Sequence, residues 1–198
     1  MKKMAVCLAA GVLCLALAGC AAAPAPEKAA DGTDWSEDWV TVGGVLGVDT
    51  PEGMEPQENN EALAANGMYY ATWSMGEGVP CVNEDGDEAQ VYDVQVYLLL
   101  SSAKSGQEAE NTLAQWRELA KDRYVIEETY TQVCGGQEFT VITYTFDSDA
   151  NPYARGASAF GLYRSCAINV ELACRGEFDS DAAQLLTGFL DSCHYAAP

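Results

Sequence analysis

A period of two dominates this chain, and a period near four interrupts it twice. Between residues 91 and 101 every even position, Tyr92, Val94, Val96, Leu98 and Leu100, is apolar, which predicts a strand at the centre of a sheet. Residues 68–75, rich in Tyr and Trp, read as a second strand. Residues 39–48 alternate weakly before the turn cluster Asp49-Thr50-Pro51-Glu52-Gly53. Residues 124–132 and 138–147 predict a hairpin about Cys134-Gly135-Gly136. Residues 158–174 predict one long strand, with Cys166, Ile168, Val170, Leu172 and Cys174 on one face and Ala167, Asn169, Glu171 and Ala173 on the other.

The two helical stretches carry their own start signals. Ser105 and Glu108 have the spacing of a capping box, in which each side chain satisfies a backbone donor of the first turn. Ala109, Leu113, Trp116 and Ala120 then recur at three- and four-residue spacing, a helix to about Asp122. Asp179, Ser180 and Asp181 offer caps for a closing helix whose apolar stripe is Ala182, Leu185, Leu186, Phe189, Leu190 and Cys193. The order strand-strand-strand-helix-strand-strand-strand-helix, with short turns, predicts an α+β fold in which an antiparallel sheet of about six strands is covered by helices.

Before that domain lies a different pattern. Lys2 and Lys3 lead into residues 4–18, fifteen residues without a charge. Such a stretch is shorter than the roughly 20 residues a membrane-spanning helix needs, and Pro24 and Pro26 follow it in place of a stop-transfer flank. It reads as a secretion signal over residues 1–19. Its end, Leu17-Ala18-Gly19-Cys20, resembles the bacterial lipobox, which implies that Cys20 takes the acyl chains and anchors the chain to a membrane from the extracytoplasmic side. Residues 20–34, small, polar and punctuated by proline, are expected to be the lipidated cysteine and a flexible linker. A single domain is expected over residues 35–198, with order starting near Trp35 or Trp39.

Charge narrows the partners. The formal net charge is −20, and removing residues 1–19 takes away two lysines and no acid, leaving −22. Such a surface repels nucleic acid, so no nucleic-acid partner is expected. Beyond Cys20 come Cys81, Cys134, Cys166, Cys174 and Cys193, an odd number that cannot all pair within one molecule. Cys166 and Cys174 share the apolar face of their strand and read as small core residues.

Little in the sequence points to catalysis. His194 is the single histidine, and its place after the closing helix suits the negative end of the helix dipole. Gly156-Ala157-Ser158-Ala159-Phe160 lacks the second glycine of a nucleophile elbow. Aligning Gly86 with the glycine of an EF-hand loop puts Cys81 and Tyr92 at ligand positions, and Asp147-x-Asp149-x-Asn151 is followed by Pro152 where glycine is required. No catalytic residue, metal site or cofactor is therefore expected. The segment 151–156 sets Tyr153 beside Arg155, residue types enriched at binding hot spots, and these two are the candidate partner-binding residues.

The element order, together with residues 91–122 and 137–195, looks like the PsbP-like superfamily. The segments Ala157-Ser158-Ala159-Phe160-Gly161-Leu162-Tyr163, Ile168-Asn169-Val170-Glu171-Leu172 and residues 185–192 carry the resemblance as patterns of residue class. That superfamily includes extrinsic subunits of photosystem II and a nuclear Ran-binding protein, so the resemblance implies binding and assembly rather than catalysis. The expectation is a membrane-anchored envelope lipoprotein acting as a non-catalytic binding or assembly module, with an envelope protein as partner. The alternatives are a hydrolase acting on envelope polymers and a lipoprotein that binds a small ligand or metal.

Overall fold

A computed structural model describes residues 26–60, 66–82, 88–146, 151–176 and 181–197. The expected signal and Cys20 lie outside the described residues, as do Asp179 and Ser180 and most of the two acidic turns weighed for calcium.

Fourteen elements follow one another among the described residues: β1 (Val40–Val42), β2 (Leu46–Val48), β3 (Met54–Asn60), β4 (Met68–Met75), β5 (Val79–Val82), β6 (Glu88–Val91), β7 (Val94–Ser102), α1 (Gly106–Arg123), β8 (Tyr124–Cys134), β9 (Gln137–Phe146), β10 (Tyr153–Tyr163), β11 (Cys166–Arg175), α2 (Ala182–Asp191) and β12 (Cys193–Tyr195). The expected α+β sheet of about six strands covered by helices is not what forms. Strand accounts for 56% of the structure, only two helices are present among the described residues, and the main sheet has seven antiparallel strands in the order β3-β4-β7-β11-β10-β9-β8. The fold is mainly β.

Particular segments produced the difference. The stretch 158–174 is the inner part of a hairpin, in which Tyr163 pairs with Cys166 around a turn at Arg164 and Ser165. Arg164 takes φ 56, a conformation usually left to Gly or Asn, so no turn residue marks the place. Residues 39–48 likewise divide into β1 and β2, joined through Gly43 and Gly44 at φ 60 and 67. β3 and β5 went unseen because Pro56 and Pro80 argue against strands and survive here in β3, an edge strand, and in a two-stranded ribbon.

The sheet has two buried faces. On one, Val94, Val96, Leu98, Ile168, Val170, Leu172, Ala157 and Ala159 pack with Leu186, Phe189 and Leu190 of α2 and with the small sheet β1-β2-β12. Cys166 and Cys174 are core residues there, and the five described cysteines are free. On the other face, Ala109, Leu113 and Ala120 of α1 cover Ile142, Tyr144, Phe160 and Ala167. The capping box forms with a variation: Ser105 Oγ accepts from the Glu108 amide at 3.2 Å, while Glu108 Oε2 accepts from Lys104 N at 2.9 Å rather than from Ser105 N. Neither described helix is long and apolar enough to cross a membrane.

Contacts with the rest of the fold extend upstream of Trp35. Ala29, inside the expected linker, is buried and bridges Ala196; Ala30 N donates to Tyr195 O at 2.6 Å and Ala197 N to Lys28 O at 2.8 Å. Trp39 stacks flat on His194 at 3.9 Å, and Trp35 meets Trp39 edge-on at 5.4 Å. Both indoles rest on Gly47 of β2, where an added Cβ would lie 2.8 Å from the Trp35 ring. His194 thus belongs to β12 and an aromatic stack, with Nδ1 3.8 Å from Asp31 Oδ2, and not to the end of a helix.

Candidate functional site

A groove runs along one flank of α2. Asp181 caps its start, accepting from Ala183 N at 2.9 Å and Gln184 N at 3.2 Å. From there Leu186, Phe189 and Leu190 point into the core, with Phe189 edge-on to Trp73 at 4.9 Å. Gln184, Leu185 and Gly188 are left on the flank that faces the turn before β3. Met54 N donates to Pro51 O at 3.0 Å, and Trp73 Nε1 donates to Thr50 Oγ1 at 3.2 Å, so the turn is held against the end of β4. Met54 pairs with Met75 across β3 and β4, which aligns the two thioethers opposite α2.

Between these walls lies a cleft of about 380 Å³ lined by Pro51, Met54, Met75, Leu185, Gly188 and Phe189, with Glu52 and Asp181 at its rim. Gly188 is an exposed part of its lining. A glycine inside a helix costs about 1 kcal/mol relative to alanine, and it is normally repaid by close packing. Here a Cβ on Gly188 would meet nothing within 4 Å, so the protein's own packing does not require the small residue. Methionine walls repack around different shapes, and a rim with two carboxylates and no base favours an apolar group that carries positive charge.

The expected partner-binding residues stand elsewhere. Tyr153 and Arg155 belong to the first turn of strand pairing in β10, not to a free connecting loop. A register shift separates them, with Tyr153 opposite Arg175 and Arg155 between Thr145 and Cys174. Both are half-buried, and Arg155 already has an interaction within the fold. Burial pushes the Tyr153 hydroxyl up to about 12, so it stays protonated across the physiological range. The structure brings neither residue to the α2 groove.

A second polar group lies on the α1 face. Glu171 is half-buried in β11 and accepts from Tyr124 Oη at 2.8 Å, while Tyr124 stacks on Tyr144 at 3.9 Å. Desolvation among these rings raises the Glu171 carboxyl above its ordinary value, against the hydrogen bond from Tyr124, which lowers it. Ser158, across from Glu171, is buried with its hydroxyl unpartnered. No group of three or more metal-ligating side chains occurs among the described residues.

The groove was hard to see in the sequence because its walls come from segments more than a hundred residues apart. One signal was present: Gly188 lies inside α2 but off its apolar stripe, a glycine where a helix normally carries a side chain.

No protein-family model matches the chain, and no curated protein matches it. Solved structures similar to it include a protein from Bacteroides thetaiotaomicron VPI-5482, at 11% identity and TM-score 0.44, covering 79% of this chain and 47% of that one. The chain thus spans about half the length of that protein. They also include the cyanobacterial PsbP, CyanoP, of Synechocystis sp. PCC 6803, at 9% identity and TM-score 0.39, covering 74% of this chain and 95% of that one. Structures with a PsbP-like fold are therefore among those similar to this one, at a distance that assigns no function and no residue role.

Proposed function

We propose that the chain is an extracytoplasmic lipoprotein, held to a bacterial membrane by acyl chains on Cys20, and that its domain is a non-catalytic binding module of the cell envelope. The reading of the address rests on the charged start at Lys2 and Lys3, the short apolar stretch and the sequence Leu17-Ala18-Gly19-Cys20. The reading of the domain rests on one observation, the apolar groove beside α2 with Gly188 in its lining and two carboxylates at its rim. Pockets of this size take a few side chains of a partner or one small molecule. The rim chemistry and the net charge of −20 favour a partner surface that is apolar at its centre and basic at its edge.

The experiment is affinity capture from crosslinked native membranes with three forms of the full chain: unaltered, Cys20→Ala and Gly188→Leu. Palmitate labelling should follow the unaltered chain and vanish with Cys20→Ala. A leucine at position 188 fills the groove without disturbing the core, so the reading expects an envelope protein whose capture is lost in Gly188→Leu while the melting temperature is kept. Capture that is indifferent to Gly188→Leu removes the groove from the interaction, and labelling that survives Cys20→Ala removes the anchor.

A further inference from the structure

The seven-stranded sheet ends in two edges that differ in kind. At one end, β3 is interrupted by Pro56, which donates no hydrogen bond, and by a register shift between Pro56 and Glu58. At the other end stands β8, eleven residues long and free of proline, which among the described strands pairs only with β9. Its bulge lies near the start, between Ile126 and Glu128, and from Glu128 to Cys134 the register runs without a break. Along that run every second backbone amide and carbonyl points away from β9 with no described strand to receive it.

The side chains flanking the edge narrow what fits it. Val125 and Val133, 50% and 66% exposed, are among the most exposed large apolar residues of the protein. Between them Glu127 and Glu128 are exposed, Glu138 of β9 is exposed opposite Val133, and no base occurs from Tyr124 to Cys134, Arg123 being the one immediately before. A second copy of the chain would set these acids against themselves and add −20 to −20. An extended segment carrying lysine or arginine would meet them with opposite charge and complete the backbone hydrogen bonds.

We infer that β8 is a docking edge for an extended segment of a partner protein with basic residues opposite Glu127 and Glu128, which adds to the sheet as an eighth strand. The site shares no residue with the α2 groove and stands or falls apart from it. The test uses the full chain and two capped nine-residue peptides of alternating threonine and valine, one with two central lysines and one with two central glutamates. Hydrogen-exchange protection of each region is read as peptide is titrated to about 1 mM, a range suited to weak strand addition.

The lysine peptide should protect residues 124–134, and the glutamate peptide should bind at least about tenfold more weakly at low salt. Exchanging Glu127→Lys together with Glu128→Lys on this exposed edge should keep the melting temperature and reverse the preference. Absence of protection, equal response to both peptides, or protection confined to other segments overturns the inference. So does a concentration-dependent dimer that protects residues 124–134 without peptide, because the edge would then belong to a second copy. Loss of partner capture in Gly188→Leu bears on the groove alone.

Discussion

Glu171 shows how a single ionisable group is set against its surroundings. Its carboxylate keeps one strong donor, the Tyr124 hydroxyl at 2.8 Å, yet the neighbouring rings remove enough water to raise its pKa in the folded state. A raised folded pKa means that the stabilising contribution of this group is complete below its unfolded value near 4.5 and is lost as pH rises through the folded value. At neutral pH the ionised carboxylate is therefore a local cost. Gln in its place still accepts from Tyr124 and needs no charge solvation. Glu171→Gln should raise the melting temperature at pH 7 by a few degrees, and the difference from the unaltered chain should shrink as pH falls to 4. A difference that is constant across this range would show that solvent reaches the carboxylate freely.

At the scale of elements, the β10–β11 hairpin depends on a turn that is strained and then anchored. Arg164 at φ 56 holds a conformation that costs a side-chain-bearing residue about 1–2 kcal/mol. Its guanidinium lies 5.1 Å over the Tyr163 ring, and Nη2 donates to Ala196 O at 3.0 Å. Tyr163 Oη donates to the same carbonyl. Arg164→Ala keeps the strain and loses both contacts, whereas Arg164→Gly loses the contacts and relieves the strain. In urea titrations the glycine variant should be the more stable of the two by about 1 kcal/mol, with both below the unaltered chain. Equal stabilities would mean that the turn is unstrained.

This hairpin also marks what the sequence could not disclose. The alternation in residues 166–174 assigned the two faces of β11, but Tyr163 and Cys166 share a face across the two-residue turn, so the alternation shifts there and Phe160 and Leu162 lie on the face opposite Ile168; Arg-Ser carries no turn chemistry of its own to mark the reversal. β4 was legible from its Tyr and Trp, and α1 because period and capping pointed the same way. β3 and β5 were not, because a proline in an edge strand reads as a breaker until the neighbouring strand is known. The groove was least legible: Met54, Met75 and Leu185 look like ordinary core residues, and only folding shows that Gly188 leaves a gap beside them. Tyr153 and Arg155, attractive as a pair in sequence, are drawn into strand pairing.

Taken whole, the molecule closes at a junction of its two described ends. The segment before Trp35 lies along β12, and Trp39 on His194 covers the join. A full chain trimmed of residues 1–25 should therefore be more stable than one trimmed of residues 1–34, which loses the bridge to Ala196, the cover over Tyr195 and the Asp31 carboxylate beside His194. Differential scanning calorimetry decides this, with a drop of about 1–3 kcal/mol expected from buried Ala29 and the two backbone hydrogen bonds to Tyr195 and Ala197. Identical transitions would make that segment a bystander.

The junction has a mechanical side as well. Under the proposed anchoring at Cys20, tension along the N-terminal segment would enter through the short bridge at Ala29 and Ala196, ahead of the seven-stranded sheet. That small clasp would then act like a fuse, giving way before the load reaches the strands that shape the groove and the β8 edge.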